Sequence, residues 1–301
     1  MVMTSTPSEK AALMEDSVIK GRSLWDDARV RLARNKAAVA GLTVLAVLTV
    51  IAFIGPLVWV HDPSFIFRDK VQLAPTFADL HIFGTDAQGR DLFARTMVGL
   101  RMSLMVGVVA TAVSLVIGVI WGATAGFIGG RVDQIMMRVV DVLYSLPFIF
   151  FVIILMVVFG RNIILIFVAI GAVEWLTMAR IVRGQTIALK NMEFVEAAQA
   201  AGVSRFSIIR RHIIPNVLGP VVVYVTLTIP VVILAESFLS FLGLGVQEPL
   251  TSLGNLIANG ARDMEIAPWT LIFPAATMML TLFCFNFIGD GLRDAIDPKD
   301  R

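Results

Sequence analysis

Charge is what this sequence has least of: Asp, Glu, Lys and Arg make up 16% of its 301 residues, against roughly a quarter in soluble domains. That deficit excludes an ordinary soluble domain. The single cysteine, Cys284, rules out a disulfide framework and reads as packing inside an apolar run. Histidine occurs only at His61, His81 and His212, without metal-ligand spacing, and no Ser/His/Asp or Cys/His set sits in a recognisable signature. No catalytic and no metal-binding residue is therefore assigned. The phosphate-cradling pattern Gly-x-x-x-x-Gly-Lys-Ser/Thr is missing too, and none of the six lysines follows a glycine. The chain thus has no nucleotide loop of its own, and no cofactor is expected in it. Internal repeats and low-complexity linkers are also lacking, which leaves one domain.

What is present is a set of long apolar runs. No Asp, Glu, Lys, Arg or His stands between Lys36 and His61, Arg101 and Arg131, Asp141 and Arg161, or Glu265 and Asp290. Each gap holds the ~20 residues a helix needs to cross the hydrocarbon. Two further runs are less clean: one begins near Asn162 and is interrupted by Glu174, and the other, from Asn216 to Ala235, carries Pro220 and Pro230 and stops at Glu236. A large soluble helical core would keep a polar stripe, and Met102 to Gly130 shows none. The expected fold is all-α, a polytopic membrane protein with about six transmembrane helices.

Basic residues set its orientation. Seven Lys/Arg precede the first run, six lie between Arg180 and Arg211, and Arg293, Lys299 and Arg301 close the chain. Basic residues near span ends favour the cytoplasm, so both termini and the 193–215 loop are expected there, in a bacterial inner membrane. Topology accounts for these clusters without a nucleic-acid partner. The parts are then a cytoplasmic leader (1–36), a first crossing (37–60), a periplasmic loop (61–100), a core of five further helices (101–290) and a cytoplasmic tail (291–301). The leader is too long and polar for a cleavable signal peptide, and its stretch from Gly21 to Lys36 reads either as an amphipathic helix on the membrane surface or as a solvated leader. Gly126, Gly129 and Gly130 ahead of Arg131 read as a tight cytoplasmic turn.

The informative stretch is EFVEAAQAAGVSRFSIIRRHIIPN, Glu193 to Asn216. Alanines and Glu196 favour a short helix, Gly202 breaks it, Ser204 suits an N-cap for a second helix, and Pro215 marks the return to the membrane. Phe194, Ala198 and Ala201 share one side of the first helix, with Ala197 beside them. Small residues around one aromatic plug suit a partner's groove. The residues alone allow a mere connector as well.

The stretch resembles the Glu-Ala-Ala loop of ATP-binding-cassette importer permeases, matched here by Glu196, Ala197, Ala198, Gly202, Ile214 and Pro215. His212 stands where the general pattern has Ile, as in the oligopeptide and dipeptide branch. FGTDAQGRDLFAR (Phe83 to Arg95) and FIGDGLRDAIDPKDR (Phe287 to Arg301) resemble signatures of the oligopeptide, dipeptide and nickel permeases, while ESFLSFLGLGVQEPL, CFNFIGDGLRD and GRSLWDDAR are most similar to the oligopeptide C-subunit group. The resemblance implies a permease subunit paired with a homologous second permease. It also implies two cytoplasmic ATPases that bind the ATP and receive the 193–215 loop as a coupling helix, a periplasmic binding protein and a peptide substrate. Dipeptide, nickel and glutathione importers of the same family are the alternatives.

Charges inside the spans are expensive and should face protein or water. Glu236 beside Ser237 and Ser240 is a candidate pathway carboxylate or a contact to another subunit, whereas Arg180 and Arg183 read as the end of the fourth crossing. Asp86, Arg90 and Asp91 read as a self-contained turn. A stand-alone secondary transporter would need relays of buried charge, and a membrane enzyme a nucleophile or metal set; neither is found.

Overall fold

The computed structural model describes residues 24–159 and 163–296, so the first part of the leader and the last five residues of the tail lie outside the described residues. Ten helices are described: α1 (Leu24–Arg34), α2 (Lys36–Val58), α3 (Leu92–Ile128), α4 (Gly130–Tyr144), α5 (Phe148–Phe159), α6 (Ile163–Lys190), α7 (Glu193–Ala200), α8 (Arg205–Phe241), α9 (Leu253–Asp263) and α10 (Trp269–Ile296). The fold is all-α, as expected. Four helices, α2, α3, α8 and α10, are long and apolar enough to cross a membrane, or five spans if the bent pair α4–α5 is one broken crossing. α6, on which the remaining expected crossing would fall, is not among these helices, although its 28 residues reach about 42 Å at 1.5 Å per residue.

The third crossing departs from a simple rod. Its apolar run begins inside α4, a helix that also carries Asp133, Arg138 and Asp141, and the chain turns by 89° before α5 continues. Pro147 at the start of α5 supplies the physical reason, since it cannot donate to the preceding turn and its neighbour Leu146 is pushed out of helical conformation.

The centre is a parallel pair. α3 lays Gly118, Gly122 and Gly126 against Met178, Ala179, Arg183 and Thr186 of α6, and a β-carbon on Gly126 would lie 2.9 Å from the Arg183 carbonyl oxygen. Only glycine lets two backbones come so close, which is how helices gain packing contact where lipid removes the hydrophobic drive. Around this pair, α2 packs on α10 through Gly41, whose β-carbon would meet the Cys284 carbonyl oxygen at 3.1 Å. α1 leans on the far end of α10, where Leu32 and Ala38 close over Gly291. The leader's described part is thus a docked helix; Asn35 ends it and caps α2, accepting from the Ala37 and Ala38 N–H groups at 3.1 Å.

These contacts sort the loops. The 61–91 and 242–268 segments meet at one end, where Arg90 pairs with Glu248 and Trp269 donates to the Thr85 carbonyl oxygen at 3.2 Å. α1, the end of α10 and α7 gather at the other. The Gly126–Arg131 region is the turn expected, with Gly129 and Gly130 at φ 72° and 56°.

Candidate functional site

α7 is eight residues long, too short to persist in water without tertiary contacts. Val195 supplies them: it is fully buried in a cluster with Val119 and Phe127 of α3, Met178 and Val182 of α6, and Ile208, Ile213 and Val217 of α8. Glu193 and Glu196 occupy the first turn, where carboxylates oppose the helix dipole favourably. The helix ends in a Schellman-type closure, with Val203 N–H on the Ala198 carbonyl oxygen at 3.1 Å and Gly202 at φ 76°. Ser204 then caps the next helix as expected, its hydroxyl oxygen accepting from the Ser207 N–H.

Pro215 stands in the first turn of the α-helical stretch Ile214–Phe241, a position where its missing N–H costs nothing. A π-turn at Ile209–Ile213, in which Ile214 N–H reaches back to the Ile209 carbonyl oxygen, joins that stretch to Arg205–Ile208 within α8. One expectation about this segment needs correction: Ala198 is not on the open face. It is half-buried against the Val195 cluster, as is Ile214. The exposed face consists of Phe194, Glu196, Ala197, Ala201 and Gly202, and it continues into Met192 and Phe206, the latter 74% exposed. Val195 and Phe206 escaped the sequence reading. The only signal for Val195 was its three-residue spacing from Ala198, which Phe194 masked by being larger. Beside this face, Phe127, Lys190, Gln199, Val203 and Arg205 line a cleft of about 260 Å³.

Glu236 lies in the interior of this subunit. It is fully buried, one carboxylate oxygen accepting hydrogen bonds from the Ser240 and Ser252 hydroxyls at 2.7 Å each and the other without a partner. Ser252 brings the 242–252 segment over it. Glu174 behaves differently, half-buried in a cavity of about 330 Å³ with Tyr144, Pro147 and Phe151 at the α4–α5 bend. Arg180 and Arg183 join that bent arm to α6. Arg183 makes a bidentate pair with Asp133 at 2.5 and 2.6 Å, and Arg180 bonds Asp141 at 2.9 Å while lying 4.3 Å from the Tyr144 ring centre.

At the other end Asp86 and Arg90 do close a turn, by Arg90 Nε to Asp86 Oδ2 at 2.8 Å, but Asp91 serves elsewhere. It caps α3 at Ala94 N–H and holds the buried His81 Nδ1 at 2.7 Å. The fold brings His61 onto His81, ring centres 4.3 Å apart and planes within 16°, and puts their nitrogens and the Asp91 carboxylate within 4.8 Å of one another, which the sequence spacing concealed. A metal lies in the plane of each imidazole that binds it, and two stacked, nearly parallel rings have no shared in-plane point. Asp91 is already committed to Ala94, Trp59 and His81. These side chains therefore read as the capping of α3.

Residues 114–301 match the family model for the binding-protein-dependent transport system inner membrane component, and residues 23–75 match the N-terminal TM domain of oligopeptide transport permease C. The oligopeptide transport system permease protein OppC of Haemophilus influenzae is 56% identical over 290 residues, covering 96% of this chain and 93% of that protein. OppC of Escherichia coli K12 is 56% identical over 287 residues, 94% of each. The dipeptide transport system permease protein DppC of Bacillus subtilis is 48% identical over 282 residues, 93% of this chain and 87% of that one. Among solved structures, an inward-facing MetNI methionine ABC transporter chain superposes with a TM-score of 0.54 at 19% identity, over 66% of this chain and 94% of that chain; the likeness is one of fold.

Proposed function

This chain belongs to the binding-protein-dependent transport system inner membrane components, and on that premise we propose that it is one of two membrane-spanning subunits of an ATP-driven oligopeptide importer. A homologous permease completes the pathway, two cytoplasmic ATPases bind and hydrolyse the ATP, and a periplasmic protein delivers the peptide. The absence of a nucleotide loop from the sequence supports this division of labour.

The observation that carries the mechanism is the anchoring of α7. Its outer face, Phe194, Glu196, Ala197 and Ala201, is open to a partner, while Val195 sits in the cluster shared by α3, α6 and α8. Protein interiors transmit displacement because they are close-packed. A push on α7 by an ATPase therefore moves three spans as a body, which is the rigid-body gating that alternating access requires. Glu196 meets a basic group on the ATPase, and both termini lie on the ATPase side.

Identity does not rank substrates across distant organisms: in Bacillus subtilis the dipeptide relative is 48% identical and the oligopeptide relative 45%. Oligopeptide is preferred on the 56% identities in Haemophilus influenzae and Escherichia coli. The assembled complex, purified with its neighbours, should hydrolyse ATP faster when its binding protein carries peptides longer than dipeptides, and the chain alone should hydrolyse none. Stimulation confined to dipeptides would move the assignment to that branch.

A further inference from the structure

The signature FGTDAQGRDLFAR lies at the end of the fold away from α7, and it supplies two buried arginines to a polar cavity. Arg90 and Arg95 are 8% and 3% exposed, and both line a cavity of about 360 Å³ between the outer end of α3, α9 and the 242–252 segment. Arg95 Nε and its terminal NH2 are buried without a hydrogen-bond partner. Their nearest acceptors, Asp86 Oδ2 at 3.5 Å and Glu248 Oε1 at 3.7 Å, are ion-pair neighbours too distant for hydrogen bonds. Buried donors are almost always satisfied, so a desolvated guanidinium left short calls for an acceptor.

Asp86 is already the more heavily engaged carboxylate. One of its oxygens accepts from the Gln88 and Arg90 N–H groups and the other from Arg90 Nε. Glu248 differs: its side chain is 48% exposed, and its only hydrogen bond is from Arg90, at 2.9 Å. It sits in the cavity mouth as a carboxylate that water can reach. Three arginines and three carboxylates line the cavity, which is neutral with Glu248 in place and carries one net positive charge when Glu248 leaves. We infer that this cavity is a carboxylate-binding subsite for the C-terminus of the delivered peptide, and that Glu248 is a built-in stand-in which the peptide displaces. The inference rests on the oligopeptide reading above.

A chain end fits better than a flat protein surface, because both guanidiniums lie below the surface in a cavity. The volume is that of a small-molecule site. A carboxylate there takes the fork of Arg95 and replaces Glu248 on Arg90. Asn259 donates to Asn255 at 3.0 Å and keeps its own side-chain oxygen for a peptide N–H.

The test is equilibrium binding to the assembled permease–ATPase complex in nanodiscs, without the binding protein, using trialanine, its C-terminal amide, and the amide of Ala-Ala-Asp. The free acid should bind about tenfold more tightly than the trialanine amide. Glu248→Gln, on an exposed side chain, should strengthen free-acid binding severalfold and leave the amide unchanged, and Arg95→Lys should erase the preference, since an ammonium cannot reproduce the fork. Restored binding by the Ala-Ala-Asp amide would still support a carboxylate site but assign it to an acidic side chain instead of the terminus. Equal binding of acid and amide in both the parent and Glu248→Gln, with peptide import intact, overturns the inference alone. So does a Glu248→Gln effect confined to docking of the binding protein. Failure to bind or import any peptide would instead bring down the oligopeptide reading.

Discussion

At the scale of single residues, burial decides function more sharply than residue type. Glu236 was conspicuous in the sequence as a lone acid in an apolar run, but the residues that neutralise its prominence, Ser240 and Ser252, come from the next turn and from a separate segment. Only the first was in view along the chain. Glu236→Ala removes an acceptor from two buried hydroxyls and leaves a void, at a cost of ~2–4 kcal/mol, whereas Glu236→Gln keeps an acceptor oxygen for both. The alanine variant should therefore melt earlier in the purified complex, and the glutamine variant should melt and import peptide nearly as the parent does. Lost import at an unchanged melting temperature would assign Glu236 to the pathway. Gly202 is the reverse case, legible from the sequence as a break. Its φ of 76° is a backbone requirement, and an added β-carbon would meet nothing within 4 Å. Gly202→Val should thus distort the end of α7 by backbone strain alone, reducing import with normal amounts of subunit in the membrane.

At the scale of elements, α7 and the α3–α6 pair behave differently toward the sequence. The existence and limits of α7 were readable from Glu196, the alanines and Gly202, because they are local signals. Its inward side was not, since Val195 acquires meaning only from partners on three other helices. The consequence is practical. Ala198→Trp would overpack the anchoring cluster and report on folding, while Ala201→Trp enlarges the exposed face. Ala201→Trp should leave membrane insertion and melting intact, abolish recovery of the ATPases in a pull-down and stop import; normal recovery would reduce α7 to a connector. The Gly118, Gly122 and Gly126 row was invisible to a search for charges, because hydropathy treats glycine as neutral. It is a packing signal at four-residue spacing. Gly122→Leu should prevent α3 and α6 from pairing, and the subunit should fail to accumulate.

At the scale of the whole molecule, apolar runs told of crossings, and basic residues told which ends belong together. The bend between α4 and α5 was not legible, because a hydropathy run has no direction and Pro147 alone does not fix an angle of 89°. Sidedness can be measured cleanly, since Cys284 is buried and is the chain's only cysteine. A cysteine at Asp79 should react with an impermeant maleimide from outside, and one at Ala200 should be protected until the membrane is opened. Reversed labelling would invert the topology. The contact of α1 and α2 with α10, through Leu32 and Ala38 on Gly291 and through Gly41 on Cys284, joins the beginning of the described chain to its end. Helices enter a membrane in the order in which a ribosome makes them, so the first span must wait in the lipid for a neighbour that is synthesised last. Until then it presents an unmatched small-residue face to the bilayer. A truncated chain therefore displays its own incompleteness, in a form that membrane proteases and insertion chaperones can read before any transporter is assembled.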